Sequence, residues 1–270
     1  MTTFIEYLQF PFFFRALIVG SIIGLLLSWM SGYVVLRQEV HFTHALANIG
    51  FLGIALAILF SLPITPVLIA SCLAAAYLIG VIKERKLFKS DSLLAIFSQL
   101  GIALAIIVIA FFPGYRINVE QFLFGDILGI SMDDLWVSIV MLFVATGILI
   151  FQHSTFLKIS LSDTLSHTLV RRKRFWHGIF VILLATVIAL AIKIIGVILV
   201  SAFTTLPSNT AKLFAKNLRQ TFILSTIIGL FSIVSGLYLS VVFDVPSGPM
   251  IIVVLAMLWI LGILKQRIQN

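Results

Sequence analysis

The chain reads as a succession of long apolar runs separated by short polar turns. The runs are Phe12–Val35, Ala45–Leu62, Ile64–Ile82, Leu93–Phe112, Leu135–Leu157, Phe175–Ile192, Thr221–Val241 and Met250–Leu264. Most approach the roughly 20 apolar residues that a helix needs to cross the hydrocarbon layer. The expected fold is therefore all-α: a polytopic helical membrane protein of about eight transmembrane spans, in a single domain over residues 1–270.

One run breaks the pattern. Apolar character continues beyond Ile192 through KIIGVILVSAFTT to Thr205, too long for one straight span that began at Phe175. Lys193 falls inside it, where a charge costs roughly 2.5–3.5 kcal/mol on insertion scales unless it reaches water or a partner. Gly196 and Pro207 follow, and proline has no backbone donor and breaks helices. These residues predict a broken or re-entrant segment. Such a segment must line a cavity or be buried in protein, because lipid cannot pair its freed backbone groups.

Composition excludes a soluble domain. The chain is 61% hydrophobic and 10% charged, with a mean hydropathy of +1.20, against about 25% charged residues in soluble domains. The net charge of +8 is a topology signal. Lys83, Arg85, Lys86 and Lys89 share one turn. Lys158 and Arg171–Arg174 share another, Lys212, Lys216 and Arg219 follow the broken segment, and Lys265 and Arg267 close the chain. These turns belong in the cytoplasm, whereas Pro113–Asp134 and the turn at Asp244, poor in bases, belong outside. The bases lie in short loops rather than on one face, so no nucleic-acid partner is expected. Cys72 is the only cysteine, which rules out an intrachain disulfide and a cysteine-built metal site. The first run lacks a basic n-region and is long for a signal peptide, so it reads as a retained span.

Counting crossings sharpens the break. The turns at Lys158 and at Lys212 both read as cytoplasmic, yet one obvious run lies between them. The segment after Lys193 is expected to return as a half-helix, with the N-terminus outside and Arg37 cytoplasmic. Gly20 and Gly24, and Gly125 and Gly129, have the spacing that allows close helix approach. Internal packing is the expected use, rather than a dedicated dimer motif.

Four blocks now carry a resemblance: VVLRQEVHFTHALANIGFLGIALA (34–57), FLFGDILGISMDDL (122–135), KIIGVILVSAFTTLPSNTAKLFA (193–215) and GLYLSVVFDVPSGPMIIV (236–253). Together, and in this order, they resemble the permease subunits of bacterial ABC importers for zinc, manganese and ferrous iron. The resemblance covers nearly the whole chain. It implies a multi-pass subunit of the bacterial cytoplasmic membrane that moves a divalent metal, zinc first and manganese or iron otherwise, and binds no cofactor. It also implies partners: a second copy of the permease as a homodimer, cytoplasmic ATP-binding-cassette ATPase subunits, and an extracytoplasmic metal-binding protein. No G-x-x-x-x-G-K-[ST] occurs in the chain, so it has no P-loop and is not expected to be an enzyme.

The resemblance also implies site residues. In the family an aspartate and, four residues later, a histidine on the second span bind metal in passing; His44 and Asn48 stand at those positions. His41 lies one turn earlier, so His41, His44 and Asn48 form a polar face on an apolar helix. Imidazole is a good ligand for zinc and an amide oxygen a poor one. A metal route and plain interhelical hydrogen bonding both fit this face. Lys193 and Pro207 are expected to gate or shape the route, since an ammonium repels a cation. The Lys158–Arg174 loop, through Ser160, Leu161, Asp163, Thr164, Leu165 and His167, is the expected ATPase-docking element; a solvated basic loop serving only topology is its alternative. Asp126 and Asp244 are assigned to the outer face, as attractors of cations or as capping and turn residues. His153, His167 and His177 are expected at the surface or interface. Two other classes remain: a proton-coupled secondary transporter using Lys193 or an aspartate, and a non-transporting membrane scaffold.

Overall fold

The computed structural model describes residues 11–84, 90–111, 123–125, 132–161 and 172–269. In chain order the helices are α1 (Pro11–Leu36), α2 (Val40–Leu59), α3 (Ile64–Glu84), α4 (Ser90–Ala110), α5 (Met132–Phe151), α6 (His153–Leu161), α7 (Lys173–Ile195), α8 (Val197–Phe203), α9 (Leu206–Phe214), α10 (Leu218–Phe243) and α11 (Ser247–Gln269). Among the described residues, α1–α4, α7, α10 and α11 are each long and apolar enough to cross a membrane. Counting α5 with α6 as one broken span makes eight. The chain is a multi-pass helical membrane protein.

Two boundaries differ from the sequence pattern. The run Leu135–Leu157 is not one helix: the axis bends by 69° after Phe151, and α6 continues in a new direction. Its two ends differ in character, since α6 opens with His153, Ser154 and Thr155 and carries Lys158. The second span begins at Val40 rather than Ala45, directly after a turn in which Gln38 takes a positive φ of 57°. His41 and His44 are therefore inside the helix.

The centre of the bundle is α7, α8 and α1. From Phe180 onward α7 is almost wholly buried, as are Val197, Leu199, Val200 and Phe203 of α8. Membrane helices gain little from hydrophobic burial between themselves, so close approach through small residues carries the packing. The α1–α10 pair shows this. A side chain added at Gly24 would strike Ile233, one at Gly32 would strike Phe222, and one at Gly229 would strike Ser28. Ser225 donates to the Ser28 carbonyl at 2.6 Å within the same seam. The close approach at Gly24 is internal, as the sequence led one to expect.

The break after α7 has a definite shape. Gly196 has φ +81° and ψ 163°, a backbone region that essentially only glycine occupies. From there the chain runs along α11. Phe124 and Gly125 lie against Gly196, and Phe124 also lies against Gly248 at the start of α11. At the far end Leu213 and Phe214 lie against Gly262, and Lys265 sits over the Phe214 ring at 5.1 Å. The segment α8–α9 thus travels from one end of α11 to near the other. It returns across the bundle, which accounts for basic turns on both sides of α7. The break at Gly196 is not made by Pro207, which lies in the first turn of α9, directly after the second interruption at Thr204–Thr205.

Candidate functional site

The polar turn of α2 is built from its first half. His41 is exposed, while His44 and Asn48 are half-buried. The Asn48 amide donates to Ser98 Oγ of α4 at 2.5 Å. The two helices almost touch here: a side chain added at Gly101 would lie 2.8 Å from the Asn48 carbonyl and the Ile49 nitrogen. A bulkier residue at 101 would push α4 away and pull Ser98 out of reach. Asn48 therefore has an interhelical role whatever else it does, and its oxygen is the one ligand atom the side chain offers.

On the other side of the same turn, Thr43 is fully buried. Its hydroxyl lies 3.2 Å from that of Thr204, between α8 and α9, and donates to the Val40 carbonyl at 2.8 Å. Thr204 in turn donates to Ser201 O at 2.9 Å. The residue preceding His44 is thus packed hydroxyl to hydroxyl against the broken segment. Sequence reasoning missed this pair, because a buried threonine in an apolar helix ordinarily bonds back to its own backbone.

Lys193 and Pro207 are not on this turn. Lys193 is in the last turn of α7, and its ammonium donates to Thr65 Oγ1 at the start of α3 at 3.1 Å. Its neighbour Ile192 meets Gly50, well beyond His44 along α2. Pro207 is buried at the head of α9. Among the described residues no three His, Cys, Asp or Glu side chains gather to hold a metal. The buried Cys72 thiol faces the Leu46 carbonyl at 3.7 Å.

At the basic end, Ser160 is buried and donates to Phe156 O at 2.7 Å, and Leu161 ends α6. Asp163, Thr164, Leu165 and His167 lie outside the described residues, as does Asp126. His153 is hydrogen-bonded through Nδ1 to the Tyr33 hydroxyl at 2.5 Å, and His177 pairs with the Arg37 guanidinium. Both histidines are half-buried packing partners as much as interfacial groups. Asp244 caps α10 in the left-handed conformation, φ 52°, a turn role tolerated by aspartate.

The break gives a direct accessibility test. Single cysteines at 198, 201 and 202, in a Cys72→Ser background, should react with water-soluble thiol reagents if that side faces a route. Those at Val197, Leu199, Val200 and Phe203 should stay protected, because these positions are buried within the chain. Protection at all seven positions would remove α8 from any aqueous route.

Comparison with known proteins places these features. Residues 9–266 match the ABC 3 transport family. The high-affinity zinc uptake system membrane protein ZnuB of Haemophilus influenzae is 27% identical, over 96% of this chain and 99% of that protein. The manganese import system permease protein ScaB of Streptococcus gordonii is 30% identical, over 97% of this chain and 96% of its own. Among solved structures, PsaBC from Streptococcus pneumoniae in complex with Fab superimposes with a TM-score of 0.86 at 26% identity, covering 99% of both chains.

Proposed function

The chain belongs to the ABC 3 transport family, and from that premise we propose that it is the membrane-spanning permease of an importer that carries divalent metal ions into a bacterium across the cytoplasmic membrane. The full-length match to that family carries the reading. The named relatives handle zinc and manganese. A half-buried imidazole beside an amide oxygen is a mixed borderline and hard donor set, which suits zinc, manganese or ferrous iron held briefly. ATP hydrolysis belongs to separate cytoplasmic subunits, an extracytoplasmic metal-binding protein delivers the ion, and a second copy of the permease completes the route. Ser160–His167 is the docking element, and Lys193 and Pro207 shape the segment that moves.

His44 is the ligand to test. His44→Leu removes the imidazole while keeping an apolar side chain that a membrane helix tolerates. Uptake of zinc, manganese and iron per folded transporter should fall several-fold for the cargo metal. Asn48→His should raise uptake at low metal and slow it at high metal, since paired imidazoles bind more tightly and release less readily. If uptake per folded transporter is unchanged in His44→Leu, and only the amount of protein falls, the histidine is a packing residue and the route lies elsewhere.

A further inference from the structure

α3 and α7 pack together near Lys193 and diverge toward their other ends, leaving an open cleft of about 1250 Å³. Its floor is the turn after α1, where Arg37 and Glu39 form an ion pair at 3.3 Å with little side-chain exposure. Lys83 of α3, with Lys173 and His177 of α7, also lines this end. Three permanent cations thus face one carboxylate among the described lining residues. The cleft continues toward the membrane interior as an apolar trough walled by Ile79 of α3 and Val181 of α7. Its rim is open sideways: Tyr77 is 73% and Ile182 56% exposed.

Two glycines on these walls differ from those at the helix seams. Gly50 and Gly101 lack side chains because a neighbouring helix lies within 3 Å of where one would begin. Gly80 of α3 and Gly178 of α7 line the cleft, and a Cβ at either would meet nothing within 4 Å. No helix contact requires them to be bare. What they preserve is the free width of the trough.

The geometry points to a binding site for an anionic phospholipid, its phosphate among Arg37, Lys83 and Lys173 and an acyl chain in the trough between α3 and α7. The polar end lies on the face where basic turns collect, which is the cytoplasmic face by the charge rule. Basic pockets between spans on that side recognise anionic lipid head groups. A zwitterionic lipid carries its own ammonium beside the phosphate, so its head group has no net charge and gains less from the cations. A docked water-soluble protein loop would leave the trough, which is apolar and open at membrane depth, without a complementary surface. The site is separate from His44 and Asn48 and does not depend on which metal is carried.

Native mass spectrometry of the permease purified with its ATPase, offered equal phosphatidylglycerol and phosphatidylcholine, tests this. The unaltered complex should retain phosphatidylglycerol with about tenfold preference, the scale expected from two or more lysines near one anionic head group. Lys83→Gln with Lys173→Gln should bring the preference near parity. Gly80→Leu with Gly178→Leu should abolish retention while keeping every charge, and Gly178→Leu alone serves if the pair lowers the folded yield. Lys265→Gln with Arg267→Gln, on the same basic face but outside the cleft, should change nothing. No preference in the unaltered complex overturns the site, and so does an equal loss in the Lys265/Arg267 control. Full retention in the leucine variants would mean surface charge alone. Displacement by millimolar inorganic phosphate would mean a soluble-anion site, and retention only after the ATPase is removed would mean a protein-docking groove; both overturn the lipid assignment.

Discussion

Replacing Gly196 with alanine should reduce the yield of folded, monodisperse permease at least about tenfold. The residue sits at φ +81° and ψ 163°, and a side chain there is strained by roughly 1–3 kcal/mol before any contact is considered. The added Cβ would also be 2.3 Å from the Gly125 nitrogen and 2.7 Å from the Leu123 carbonyl oxygen. These are backbone atoms, which cannot rotate away as a side-chain tip can. Gly125 is in the same position in reverse: its φ is +79°, and its Cβ would lie 2.3 Å from the Ile195 carbonyl carbon. Gly248 faces the Phe124 carbonyl oxygen at the same distance. Three stretches far apart in sequence are thus in backbone contact through three glycines. Gly147→Ala on α5 is the control, since nothing lies within 4 Å of its Cβ and alanine favours a helix by up to ~1 kcal/mol. Fluorescence-detected size exclusion of both variants decides the matter. Equal yields for Gly196→Ala and Gly147→Ala would mean that the backbone contact contributes nothing.

This contact shows what the sequence could disclose and what it could not. The FLFGD, KIIGV and PSG blocks were legible as motifs, and Gly196 as a break, because a charge and a glycine inside an overlong apolar run have few other uses. That the three blocks meet at one point was not legible, since a glycine's need for space depends on a neighbour that sequence spacing does not reveal. Spans were legible from apolar length. The bend after Phe151 was not, because Gln152 and His153 are a weak interruption and neither is proline or glycine. The place of Pro207 was half legible for a related reason: proline ends one helix and starts another equally well, and here it opens α9 just after α8 has ended. At the site, the shared face of His44 and Asn48 followed from their spacing. The Ser98 partner and the Thr43–Thr204 contact depend on which helices are neighbours.

Replacing Ser160–His167 by a Gly/Ser linker should leave insertion intact but lower metal uptake more than about tenfold, while the associated ATPase keeps its basal hydrolysis. A Gly/Ser chain is a flexible coil and transmits no push. The structure ties α6, which leads into that segment, to its neighbours. α6 is tied to α1 by the Tyr33–His153 hydrogen bond at 2.5 Å. It is tied to α7 through ring contacts of Phe156 with Trp176 and Phe180. From Leu183 to the break at Gly196 α7 is mostly buried, so a displacement that reaches this stretch has little loose packing in which to dissipate. Phe156→Ala should therefore weaken coupling as well, with partial loss of uptake at unchanged ATPase binding, because the α6 ring that meets Trp176 and Phe180 is removed and the loop is kept. Uptake and hydrolysis measured together in vesicles separate the cases. A linker variant that still co-purifies with its ATPase and transports at the normal rate would show that this loop only sets topology.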